Sequence, residues 1–257
     1  FFARNTRFQP NIAVIFTTTP TPVQSETTSD TTPTPTPVPK TNSNTGSTPT
    51  PSVEPKVEQP PTQTILEFLV GSDVTVTVPG ESAKKGVNGQ KIVLGSTIST
   101  GSSTQAQLVY PTGGVTRLDS GTRVVFTEEP TPTSGGNISI QVGRTWQRVM
   151  KVFGVDSFET DTATALASVR GTSYGHSLET DGAGNPVDRV ITLEGKVGVK
   201  CKKRSEAEVL VKPNEDLKVS CKSPSYNPRL AEIPAMSDAE IKWVLSNLIR
   251  DEQLKNR

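Results

Sequence analysis

Between Thr64 and Lys222 apolar and polar residues alternate with a period of two, most cleanly in Val74-Thr75-Val76-Thr77-Val78. Such alternation predicts strands with one buried face. Further strand-like runs are Lys91 to Leu94, Ala106 to Tyr110, Arg123 to Thr127, Asn137 to Val142, Ser157 to Thr160 and Ala165 to Val169. Arg189 to Leu193, Lys196 to Cys201, Glu208 to Val211 and Asp216 to Cys221 follow. Turn residues fill nearly every gap, as in Val87-Asn88-Gly89, Asp119-Ser120-Gly121, Ser134-Gly135-Gly136, Asp181-Gly182 and Glu194-Gly195. Glycine supplies positive φ there, and Asn or Asp bonds its own backbone. Short strands at this spacing predict an all-β sandwich, barrel or solenoid over residues 64–222. No repeat of fixed period is visible. Residues 145–153 fit a short helix or a strand equally well.

On either side the pattern breaks. Residues 17–63 hold 15 Thr and 11 Pro, with no aromatic residue, Leu or Ile. Proline fixes φ and removes a donor, and no apolar side chain offsets the entropy of ordering. The segment therefore reads as a disordered Pro/Thr-rich linker, either bare or O-glycosylated. Residues 1–16 form an N-terminal stub. Its opening Phe1-Phe2 is either the end of a membrane span lying upstream or carries no meaning. After residue 222, Pro224, Pro228 and Pro234 mark an irregular connector over 223–236. Ser237-Asp238-Ala239-Glu240 then reads as a capping box opening a helix over 237–255. Ile241, Val244, Leu245 and Leu248 form one apolar stripe on it, which docks on the β-domain or faces a partner.

Composition changes this picture little. The formal charge of +1, from 27 basic and 26 acidic residues, argues against nucleic acid as a partner. Lys200, Lys202, Lys203 and Arg204 read as a solvated hairpin tip. Chemistry is sparse. His176 is the sole histidine and has no nucleophile or ligand set at catalytic or zinc spacing. Glu179, Asp181, Asn185 and Asp188 surround a loop without the ordered spacing of a calcium site, and a hairpin turn accounts for it. Asn137-Ile138-Ser139 is a formal glycosylation sequon. No enzymatic activity, cofactor or metal is expected. Cys201 and Cys221 each end a strand, leaving a disulfide or two buried thiols; out-and-back pairing of the intervening strands would bring them within reach, and the Pro/Thr stalk favours the disulfide, hence an oxidising compartment.

The motifs also occur in a telling order. Gly95 to Ser103 leads into Ala106-Gln107-Leu108, then Ile140 to Arg144 and Ser157-Phe158-Glu159-Thr160. Val169-Arg170-Gly171-Thr172-Ser173-Tyr174 follows, and last Leu193-Glu194-Gly195-Lys196-Val197-Gly198-Val199. This succession, over about residues 86–220, resembles the FecR domain family. The resemblance implies a twisted, antiparallel, sandwich- or solenoid-like β-domain outside the cytoplasm, and in related proteins a membrane-spanning sensor that controls a sigma factor. The cytoplasmic region and second lobe of those relatives have no counterpart here. Arg170, with five donors, can clamp backbone carbonyls or Glu194. Gly171 and Gly195 allow tight turns. Val169, Arg170, Gly171, Thr172, Tyr174, Glu194 and Gly195 together read as a structural set.

Two functional expectations remain. The first is an extracytoplasmic, membrane-tethered binding or sensing module that contacts an envelope or receptor protein and meets the membrane only through an upstream anchor. The alternative is a surface adhesion or scaffold domain that binds glycan or matrix.

Overall fold

Among the described residues sixteen strands and one helix form, where backbone donors find partners across the sheet or along the helix. The computed structural model describes residues 61–131, 133–150, 157–222, 228–232 and 236–255. The strands run β1 (Ile65–Val70), β2 (Val74–Thr77), β3 (Lys84–Lys85), β4 (Thr97–Thr100), β5 (Gln105–Val109), β6 (Val115–Leu118), β7 (Arg123–Glu128) and β8 (Asn137–Arg148). Then come β9 (Phe158–Asp161), β10 (Ala165–Val169), β11 (Ser173–Thr180), β12 (Pro186–Glu194), β13 (Val197–Cys201), β14 (Val209–Val211), β15 (Glu215–Val219), β16 (Arg229–Glu232) and the helix α1 (Asp238–Lys255).

The strands make two layers that share one member. The first layer runs β1-β5-β6-β8-β11-β12-β15-β16, and the second runs β3-β2-β4-β7-β8-β9-β10-β13-β14. All neighbours are antiparallel except β8 and β9. Residues 137–142 of β8 pair in the second layer with β7 and β9, and its remainder pairs in the first with β6 and β11. The crossing falls at Gly143, whose φ of 87° lies where side chains are disfavoured. Neither layer closes.

One apolar core lies between the layers. Leu66, Leu108, Leu118, Tyr174, Val190 and Leu217 from the first meet Val76, Ile98, Phe126, Ile138, Ile140, Phe158 and Val199 from the second. Tyr110 lies 6.4 Å from Phe126 and 5.8 Å from Phe158 between ring centroids, which ties the layers together. Each such side chain contributes ~1.5–3 kcal/mol on burial. Alternation is clean in β2, β9 and β10. It fails in β6, where all four residues are buried, because α1 covers the outer face there.

The all-β expectation holds, with one C-terminal helix. The stub and residues 17–60 of the linker lie outside the described residues. Residues 145–148 complete β8, and residues 151–156 lie outside the described part. Two expectations are corrected. Lys91 to Leu94 is no strand: Lys91 makes a single bridge to Ile65, and Ile92 is buried by a bond to Thr64. The connector is not wholly irregular, because β16 fills the free edge of β15 between Pro228 and Pro234.

Candidate interaction site

β10 ends at Val169, and the chain passes through Arg170, Gly171 and Thr172 into β11. Gly171 has φ 65° and Gly195 φ 77°. A Cβ on Gly195 would sit 2.8 Å from both Gly171 O and Thr172 Oγ1, so the two turns touch. Val169, Thr172 and Tyr174 are buried. The Tyr174 hydroxyl lies 3.1 Å from Thr160 Oγ1, and burial pushes its ionisation far above the usual range. Of the side chains from Val169 to Tyr174 only Arg170 is exposed.

The expected clamp between Arg170 and Glu194 does not form. Ser173 is paired with Arg148 on one side and Glu194 on the other, so these three side chains lie side by side on the outer face of the first layer. Arg148 therefore takes Glu194, and it also donates to Ser173 Oγ at 2.7 Å. Arg170 leaves from a turn at the end of a second-layer strand. Burial raises the Glu194 pKa, but Arg148 and Lys255 outweigh it and hold the carboxyl below its ordinary 4.5. A depressed carboxylate contributes stability that is present above its unfolded pKa and lost as pH falls through the folded one. Tryptophan fluorescence is therefore expected to report loosening of the α1 end as pH falls below the ordinary 4.5. Glu194→Gln should flatten that response.

Arg170 and Lys196 both line an open cleft of about 650 Å³. Ser168, Gly171, Gly198, Glu208 and Leu210 line it with them. Among the described residues neither cation has a hydrogen-bond or ion-pair partner. A Cβ at Gly198 would lie 2.4 Å from Glu208 Oε1, so the missing side chain is what leaves room for the carboxylate.

The capping box forms as expected. Glu240 Oε2 accepts from Ser237 N at 2.8 Å, and Ser237 Oγ accepts from Glu240 N at 3.4 Å. The apolar stripe, however, is divided. Val244 is buried, Ile241 and Leu248 pack beside it against Trp146 and Ile191, and only Leu245 remains free at 46% exposure. The face turned to the sheet carries Trp243, Asn247 and Asp251 as well. Cross-strand pairing aligns Gln107, Arg117, Trp146, Gly175, Ile191 and Asp216 in one row beneath it. Trp243 packs edge-on to Trp146 with centroids 5.5 Å apart, and Arg144 covers its ring at 4.4 Å. Arg117 donates to Asp251 at 2.6 Å. Trp146 Nε1 and Ser173 Oγ donate to the other carboxylate oxygen at 3.0 and 3.1 Å. Burial pulls the Arg117 pKa down, with Asp251 acting against it. Arg189 binds Asp216 at 2.7 Å and also Glu240 at the start of the helix. Pattern reading missed this contact because Asn247 and Asp251 count as solvent-facing on hydropathy alone.

Residues 96–198 match the family described as FecR protein. Residues 96–198 form a FecR-like region. Two crystal structures of a protein from Parabacteroides distasonis ATCC 8503, provisionally named an anti-sigma factor, are also similar. Each is 22% identical, with TM-scores of 0.43 and 0.44, and the match covers 53% of this chain and 60% of that one. This chain thus spans less than two thirds of the solved structures it matches. No curated protein matches it.

The FecR match runs from Ser96, just before β4, into β13, so it contains the cleft turns and leaves α1 outside. Just beyond it, Cys201 at the end of β13 is bonded to Cys221 after β15, with Cα atoms 5.5 Å apart. The bond joins the second layer to the first. His176 is fully buried between the layers, 2.8 Å from Thr160 Oγ1 and 3.4 Å from Asp188, which accepts from Thr162 and Thr164 at 2.7 and 2.5 Å. That network satisfies core polar groups and is closed to solvent. Asp181 spends its oxygens on its own loop, accepting from Ala183 N and Asn185 N at 2.9 and 2.8 Å. In the basic tip, Lys202 pairs with Asp161 and Arg204 with Glu206.

Proposed function

We propose that this chain is a FecR-type sensing module that works outside the cytoplasm by protein–protein contact, tethered to the membrane on its N-terminal side and without enzymatic activity of its own. The observation that carries this reading is the cleft at the turns of the FecR match, where two unpaired cations, Arg170 and Lys196, share the lining with a single carboxylate, Glu208. An acidic segment of an envelope or receptor protein suits it, since charge complementarity steers encounter and fixes register. The Cys201–Cys221 bond supports an oxidising compartment. No described helix is long and apolar enough to cross a membrane.

The test is membrane-impermeant crosslinking of intact cells producing the wild-type chain or Arg170→Glu/Lys196→Glu. An envelope protein captured by the wild type, and lost from the double variant and at high salt, is the expected result. Capture of the same protein by both removes the cleft from the reading. Failure to label the chain at all overturns the location.

A further inference from the structure

The contact between α1 and the first layer resembles an interface between two proteins more than a core. Its apolar cluster of Trp146, Ile191, Met236, Trp243 and Val244 is separate from the cluster between the layers. The rest is polar and buried, with Arg117 and Asp251 exposed by only 3% and 2%. A buried ion pair exchanged for two hydrated ions roughly breaks even. Such pairs fix what binds more than how tightly it binds.

The sheet has a matching recess for each group. Gly175 has no side chain, and a Cβ there would sit 2.7 Å from the Trp243 ring, so the absent group is the notch that admits the indole. Arg144 covers the same ring. Eight residues along the helix, two turns on the same face, the Asp251 carboxylate meets three donors: Arg117, Trp146 and Ser173. Asn247 Nδ2 turns back to its own helix at Trp243 O, so it is no part of the pattern read by the sheet.

We propose that the outer face of the first layer is a helix-recognition groove, filled in cis by α1, and that a partner protein's amphipathic helix with an aromatic ring and a carboxylate eight residues apart docks there when α1 leaves. The proposal rests on reading the chain as a protein-binding module, and the test below makes no use of cellular location.

The test uses the full chain carrying Asp251→Ala, with a labelled peptide of residues 236–255 as probe. Loss of the cis occupant should make the peptide bind roughly tenfold or more tighter than it does to the wild-type chain, whose groove is taken. The same peptide with Trp243→Ala or Asp251→Ala should bind at least ~10-fold more weakly, as both anchor groups carry recognition. Gly175→Val in the chain should free α1 yet reject the peptide, which separates a filled notch from mere loosening. Hydrogen exchange on the wild-type chain gives a second reading independent of folding in the variants: α1 amides should exchange together and faster than those of β8 and β11. A folded Asp251→Ala chain that ignores the peptide, or α1 exchanging only at the core rate, overturns the proposal.

Discussion

Gly143→Ala is expected to destabilise the β-domain by about 3 kcal/mol, combining a left-handed non-glycine backbone with overpacking. Gly143 sits where β8 leaves one layer for the other, with φ 87°. An added Cβ would lie 2.7 Å from Thr122 Cα and 3.0 Å from Gly121 O, both backbone atoms that cannot turn aside. The strand must shift, and it carries partners in both layers. Gly184→Ala is the control. Its φ of 82° is nearly the same, but nothing lies within 4 Å, so only the conformational cost of ~1 kcal/mol applies. Denaturant titration of both variants reads the difference. Equal losses would mean that the crossing is not packed as described.

Cys201→Ser/Cys221→Ser, or reduction of the wild type, should cost ~3 kcal/mol, from the entropy released to an unfolded chain when a loop of this size is opened. The separation is 20 residues. For a domain of this length that corresponds to a fall in Tm of roughly 6–12 °C. The cost should appear as a downward shift of the whole cooperative transition, because the bond joins β13 in one layer to the end of β15 in the other. A Tm unchanged by reductant would sink the idea that this bond holds the layers together.

The second layer was the more readable part of the fold. β2, β7 and β10 alternate because their outer faces meet water. In the first layer β6 and most of β11 are buried on both sides, so Val115–Leu118 and Ser173–Thr180 offered no alternation. β1 and β4 were also passed over: β4 has one apolar residue, Ile98, among three hydroxyl side chains, and β1 lies next to the break in pattern. The Val169 to Tyr174 motif was legible as a unit, but not that Glu194 would pair with Arg148 in place of the motif's own Arg170. Pairing of Ser173 with Arg148 and Glu194 is a matter of tertiary register, complicated by the irregularity between Ser173 and Tyr174. The helix start was legible, since a cap is local. The carboxylate that locks the helix down was not, because its Arg117 partner lies 134 residues away.

β8 also sets the order in which this domain can be assembled. Among the described strands it alone has neighbours in both layers, flanked by β6 and β11 in one and by β7 and β9 in the other. A chain delivered from its N-terminus has β6 and β7 ready early, but β9 and β11 arrive later, so β8 waits with one side of each half open. Non-local pairing of this kind is slow to form because loop closure precedes its reward. During that interval the edges of β8 offer unpaired backbone to other chains. β14 and β16, each joined to a single neighbour, can come last with little consequence. The strand that unites the two layers is thus also the one whose delay leaves the nascent domain most open to mispairing.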